Sequence, residues 1–209
     1  MDVADYSKVI QGTDEWKQIR CGNVTASRIS DIVAKTKSGY STSRANYLSQ
    51  LLCERLTGTV EESFTNDAMK WGTMQEPFAR AAYEQAKDVM VDEVGYICHP
   101  TIERAGASPD GLVGDDGAIE IKCPNSANHF ETIINKKYPK KYHDQMQWQM
   151  ACTGRKWVDF VSYDPRVPER LQLYIQRVPF DPVYVAELET EVKLFLQELE
   201  QKIQSLLMI

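Results

Sequence analysis

The chain has 209 residues, 43% hydrophobic and 26% charged, which fits one soluble globular domain with a sizeable core. No apolar run approaches the roughly 20 residues of a membrane span, and Cys21, Cys53, Cys98, Cys123 and Cys152 include no Cys-x-x-Cys pair, which argues against a disulfide scaffold or a zinc or iron–sulfur cluster. Net charge is −6, so bulk charge alone does not hold this protein on nucleic acid; six acids against two lysines in residues 181–209 account for −4 of it and leave room for a basic groove elsewhere.

Residues 1–8 show no basic stretch followed by an apolar one, so no signal peptide and a cytoplasmic location are expected. A first helix is predicted from about Thr13 to Arg20, and a second opening at Thr25–Ser27 with Ile29, Ile32 and Val33 as its apolar face. Ser43 to Leu56 has apolar residues at helical spacing and Gly58 to close it. Asp67 to Ala86 is also helical, with Pro77 expected to kink it or start a new helix. The period then changes. Val89–Cys98 and Glu103–Ala107 read as strands, and Gly111–Lys122 as a hairpin turning at Gly114-Asp-Asp-Gly117. Tyr142–Cys152 is predicted helical, Trp157–Tyr163 and Leu171–Val178 as strands joined at Asp164-Pro165. A last helix carries Leu188, Val192, Phe195, Leu196, Leu199, Ile203 and Leu206 on one face, for the core or a subunit contact. The order predicts an α+β fold with an α/β-type core: a central mixed β-sheet flanked by helices, in a single domain.

The hairpin carries the chemistry. Side chains alternate along a strand, so Glu120 and Lys122 share a face and Ile121 points into the core. Asp110 starts the first strand and is brought beside Glu120. Two carboxylates repel unless a hard cation such as Mg²⁺ uses their oxygens, and Lys122 is then placed beside the attacking water or a scissile phosphate. Glu-x-Lys alone is common on solvated strands, and Pro-Asp-Gly alone is usually a turn; together, in an apolar strand, the two charges need partners. Glu76, beside Pro77, is either solvent-facing or a third carboxylate. Gln147 is either surface or an uncharged donor that orients a water or phosphate. Lys136, Lys137, Lys140 and Lys141 with Tyr138 and Tyr142 read equally as a solvated loop or as contacts to a DNA backbone.

Several blocks stand in order: Trp16…Arg20-Cys-Gly…Thr25-Ala-Ser27, Trp71-Gly…Glu76, Ser108-Pro-Asp-Gly111, Glu120-Ile-Lys-Cys-Pro124, Gln145-Met-Gln147 and Tyr163-Asp-Pro-Arg166. Through them the chain resembles the lambda exonuclease family, the phage-type alkaline exonucleases and YqaJ-like viral recombinases among the Pro-Asp…(Asp/Glu)-x-Lys nucleases. The resemblance implies a restriction-endonuclease-like core and a 5′→3′ exonuclease that digests linear double-stranded DNA to 5′-mononucleotides with Mg²⁺ or Mn²⁺, as two ions. It implies that Asp110, Glu120, the carbonyl of Ile121 and Glu76 hold metal, that Lys122 holds the attacking water, and that Gln147 helps place it. It further implies that Arg20 and Ser27 take the 5′-phosphate, that Ser108 lies with them on the DNA side, and that the enzyme is a ring-shaped homotrimer working with a single-strand annealing protein. The family's arginine near the substrate end is absent at Ala127-Asn128. An endonuclease on the same core, which cuts closed circles, and an end-binding module without catalysis are the alternatives.

Overall fold

The computed structural model describes residues 6–60 and 66–209. Thr13 caps helix α1 (Asp14–Arg20), its hydroxyl accepting from the Trp16 amide, with Asp14 and Glu15 at the positive end. Strand β1 (Val24–Thr25) runs into a 3₁₀ turn (Ala26–Arg28), so helix α2 (Ile29–Val33) begins one turn later than its expected start. A small hairpin of β2 (Lys35–Thr36) and β3 (Gly39–Tyr40) leads to α3 (Thr42–Thr57), which buries Tyr47, Leu48 and Leu51. Gly58 ends α3 at φ 67°, the left-handed conformation that glycine adopts without steric cost.

Helix α4 (Asp67–Lys87) passes through Pro77 as one element, so no new helix begins there. The proline removes one donor, but the Thr73 carbonyl it deprives lies on an exposed turn open to water. The strand expected over Val89–Cys98 shrinks to β4 (Ile97–Cys98). Upstream of it, Asp92 makes only an isolated bridge to Leu112, and Gly95 packs on the N-terminal segment, its amide donating to the Ser7 carbonyl. A Cβ on Gly95 would lie 2.2 Å from the Val9 carbonyl oxygen, so the run leaves the sheet after Asp92 and packs on that segment.

Strand β5 (Ala105–Ala107) pairs parallel with β1 and antiparallel with β4 in a three-stranded sheet. Ser108-Pro109-Asp110 then crosses to β6 (Gly111–Val113), the edge of a second sheet, which runs antiparallel to β7 (Gly117–Lys122) as the hairpin predicted. Helix α5 (Ser126–Asn135), capped by Asn125, was not expected. It is followed by α6 (His143–Thr153), β8 (Trp157–Tyr163), β9 (Leu173–Pro179) and α7 (Pro182–Leu207). The second sheet has the order β6-β7-β8-β9, parallel only between β7 and β8, and thus is the mixed sheet that the sequence implied.

The two faces of this sheet divide β7 by alternation. Ile119 and Ile121 pack with Val113 and Val161 against Ala79 and Tyr83 of α4. Ala118 packs with Val158 and Phe160 against Met146 and Met150 of α6. Glu120 and Lys122 therefore lie on the α6 side. Helix α7 lays Leu188, Val192, Phe195, Leu199 and Ile203 onto a third core with α2, α3 and the small sheet. Its acids are not free-standing: Glu191 pairs with Lys35, Glu198 with Arg44, and Glu200 with Arg55. No helix among the described residues is long and apolar enough to cross a membrane.

Candidate active site

Gly111 is level with Ile119 in the hairpin register, which puts Asp110 level with Glu120. The Asp110 carboxylate turns over the end of β7 and accepts a hydrogen bond from the Ile121 amide at 2.6 Å. Glu120 is fully buried and ion-paired with Lys122, whose side chain keeps 29% of its exposure. Two glutamines of α6 clamp the glutamate: Gln145 Nε2 donates to Oε1 at 2.7 Å, and Gln149 Nε2 to Oε2 at 2.6 Å. Tyr142 lies below, its ring centroid 5.2 Å from Lys122 Nζ.

The electrostatics follow from this crowding. Burial pushes the Asp110 carboxyl well above the ordinary range, and the negative charges of Glu120 and Glu76 add to it against the pull of Lys122. Burial also raises Glu76, which Arg80 and Lys122 oppose. For Lys122, burial disfavours the charged form, but Glu120 and Asp110 overcome it and hold the ammonium above its usual value. Glu76 stands on α4, near enough for its charge to act on Asp110, and Arg80 ties it at 3.0 Å and bridges on to Glu93 at 2.7 Å.

Among the described residues no three His, Cys, Asp or Glu side chains stand as a ready-made metal cage. The donor set nonetheless fits a hard divalent cation. It is all oxygen, it carries mutual carboxylate repulsion that a cation relieves, and only one Asp110 oxygen is spent on an amide. The Glu120 oxygens are meanwhile satisfied by Lys122, Gln145 and Gln149.

Gln147 is not part of this cluster. It is buried with its side chain turned the other way, donating to the Pro179 carbonyl and accepting from the Asp181 amide. Positions four apart share a helix face and the one between them does not, so Gln145 and Gln149 reach Glu120 while Gln147 ties α6 to the start of α7. Gln145→Ala is expected to lower turnover by releasing Glu120. Gln147→Ala is expected to spare turnover and cost about 1–3 kcal/mol by removing two hydrogen bonds of about 0.5–1.5 kcal/mol each. Thermal melts beside steady-state rates separate the two.

A second cleft, of 890 Å³, lies across the small sheet and is lined by Trp16, Arg20 and Ser27. The Arg20 guanidinium stacks 3.8 Å from the Trp16 ring centroid. Burial lowers its pKa against the attraction of Tyr47, Tyr96 and Glu54, and its Nε is buried with no hydrogen-bond partner among the described residues. Trp16 Nε1 donates to Ser108 Oγ at 3.0 Å, so Arg20, Trp16 and Ser108 lead to Asp110, two residues further on. Lys137 lines a third cleft, beside Lys122, whereas Lys136 is the exposed left-handed cap of α5 and lies outside it.

Residues 15–156 match the YqaJ-like viral recombinase domain. No curated protein matches the chain. LHK-Exo, an alkaline exonuclease from Laribacter hongkongensis, is 53% identical over 93% of this chain and 96% of its own, with a TM-score of 0.87. The same protein solved in complex with dAMP matches equally. A phage-related exonuclease from Haemophilus somnus 129PT, 16% identical over 88% of this chain and 96% of its own, shares the fold at a TM-score of 0.71.

Proposed function

Because the chain belongs to the YqaJ-like viral recombinase domain family, we propose that it is a metal-dependent 5′→3′ exonuclease of linear double-stranded DNA. It starts at 5′-phosphorylated ends, releases 5′-mononucleotides and leaves 3′ overhangs for recombination by strand annealing. The observation that carries this reading is the convergence of Asp110, Glu120 and Lys122 at the end of β7, with a separate anion-seeking cleft at Arg20. The 53% identity to an alkaline exonuclease supports the same reaction class.

Asp110, Glu120, the carbonyl of Ile121 and Glu76 are the groups to hold Mg²⁺ or Mn²⁺. Bound there, one or two such ions supply the Lewis acid that polarises the scissile phosphate. Gln145 and Gln149 fix the Glu120 carboxylate so that it need not reorganise during the reaction. The Lys122 ammonium holds the attacking water by a hydrogen bond and favours its hydroxide form. The water oxygen attacks phosphorus and the 3′-oxygen of the terminal nucleotide leaves. The phosphate stays on the 5′ side of the next nucleotide and renews the end that Arg20, Ser27 and Ser108 take up. Arg supplies a forked, charge-assisted contact to such a phosphate.

Digestion in Mg²⁺ of linear duplex with 5′-phosphate or 5′-hydroxyl ends, beside closed circles, tests the reading. Loss of the 5′-phosphorylated linear DNA with release of mononucleotides is the expected result. Nicked circles would replace it with an endonuclease, and end binding without cleavage with an end-binding module. Arg20→Ala is expected to cut the preference for phosphorylated over hydroxyl ends by about 10-fold or more, since hydrogen bonds to charged groups contribute about 1.5–3 kcal/mol. An unchanged preference moves the phosphate pocket elsewhere.

We further propose that residues 1–209 are one cytoplasmic nuclease domain, assembled as a ring-shaped homotrimer and partnered by a single-strand annealing protein. Light scattering at a mass near three chains is the expected result for the ring, and a stable monomer removes it.

A further inference from the structure

A further cleft shares Lys122 with the carboxylate cluster and lies apart from the Arg20 pocket. Its volume is 620 Å³, and Lys137, Lys140 and Lys141 stand around it with Tyr138 and Tyr142. Glu131 is the one carboxylate on its wall. The three lysines are exposed and take part in no ion pair among the described residues, in contrast to Lys35, Arg44 and Arg55, which α7 neutralises. In a chain of net charge −6, three unpaired ammonium groups around one concavity mark where a polyanion lies.

The backbone holds these charges in place. Lys136 closes α5 in the left-handed conformation at φ 50°, its amide donating to Ile133 and Thr132, and so turns the chain towards Tyr138. The Tyr138 amide donates to Gln176 of β9, and its hydroxyl meets His143 Nδ1 at 2.7 Å. The Tyr142 ring stacks on Phe160 and has Lys141 Nζ 4.9 Å and Lys122 Nζ 5.2 Å from its centroid. One aromatic ring thus sits between the ammonium of the carboxylate cluster and the first of the cleft lysines.

A row of residues then leads from one cleft to the other: Arg20 stacks on Trp16, Trp16 donates to Ser108, Asp110 follows two residues on and stands level with Glu120, and Glu120 pairs with Lys122 on the wall of the lysine cleft. We infer that this cleft is a binding site for the cleaved strand on the 3′ side of the scissile phosphate, gripping the next phosphodiesters through Lys137, Lys140 and Lys141. The inference rests on the exonuclease reading, in which the 5′-phosphate occupies the opposite end of that row.

The test is end binding to a 5′-phosphorylated duplex in Ca²⁺ as a function of salt, for the wild type and for Lys137→Ala/Lys140→Ala/Lys141→Ala. Each phosphate contact contributes about 0.7–0.9 to the slope of log K against log salt, so the triple variant is expected to lose about 2–3 of slope. A triple Lys→Arg variant is expected to keep it. Neutral methylphosphonates at the second and third linkages from the 5′ end are expected to weaken wild-type binding and to leave the triple alanine variant unmoved. Unchanged slopes, or a methylphosphonate effect of equal size in both proteins, overturn the cleft assignment even where digestion is normal. Failure of the wild type to digest DNA, with a lysine-dependent slope retained, overturns the exonuclease reading and leaves the cleft as a strand-binding site.

Discussion

Lys122→Ala is expected to reduce kcat by about 10²–10⁴-fold while end binding survives, the range for losing a positioned group in proton transfer. The ammonium does two things at once. It compensates Glu120, which has no solvent access, and it keeps 29% of its own exposure, so on the proposed reading it faces an incoming phosphate and water. Its removal leaves the glutamate with only the amides of Gln145 and Gln149. Breaking a buried pair on one side costs about 3–5 kcal/mol, so the metal-free variant is expected to melt well below the wild type. Added Mg²⁺ is expected to recover more stability in the variant than in the wild type, because it then takes over charge compensation. Single-turnover rates and melts with and without Mg²⁺ measure both effects. A variant with near-normal kcat removes Lys122 from the chemistry.

Asp110→Asn carries the opposite sign in stability. Burial and the neighbouring carboxylates hold the folded Asp110 well above the ordinary carboxylate pKa. Below the unfolded value of about 3.9 both states are protonated and nothing is lost. As pH rises past it, the unfolded chain releases its proton first, and the native state loses stability until the folded group also ionises. At neutral pH Asp110 therefore destabilises the metal-free fold whether it ionises or keeps its proton, a cost that asparagine removes while its amide oxygen still accepts from Ile121. The variant is expected to melt higher in EDTA, by about 2–4 °C for each kcal/mol relieved. The gap should close as the buffer is taken down to the ordinary carboxylate range. Activity is expected to fall by about 10²–10³-fold or more, the scale of losing one electrostatic stabiliser, and Mg²⁺ should no longer raise the melting temperature. Equal melting of the two proteins in EDTA across pH refutes the repulsion argument.

What was legible in the sequence is what local chemistry determines. Thr13 and Gly58 mark helix ends by capping, and the alternation of Ala118 to Lys122 declares a strand with two charges on one side. What escaped depends on tertiary docking. Met146 to Met150 are all buried, so α6 has no polar face to show which glutamines look at Glu120. Gln145, Gln147 and Gln149 differ only in the direction they point, and that direction is set by the sheet beneath. Helix α5 was hidden for a related reason. Its apolar residues Phe130, Ile133 and Ile134 are half-buried or exposed, and the residues it buries are His129 and Thr132, with His129 bonded to Ser162 and the Leu171 carbonyl, so its apolar residues do not mark the face that docks. Val89 to Gly95 looks like a strand by composition but meets β6 only through the Asp92–Leu112 bridge and then turns onto the N-terminal segment at Gly95.

The strand that carries Glu120 and Lys122 also determines which changes of length the protein tolerates. Strand β7 is central, paired with β6 on one side and over six residues with β8 on the other. Deleting one residue within it turns every following side chain over, so both charges would be driven into the apolar layer under α4 and isoleucines would replace them beside the glutamines. Adding residues at the exposed Gly114–Asp116 tip leaves the parity of β7 unchanged. Insertions and deletions in this hairpin are therefore filtered by position, harmless at the turn and lethal to the site one strand-length away.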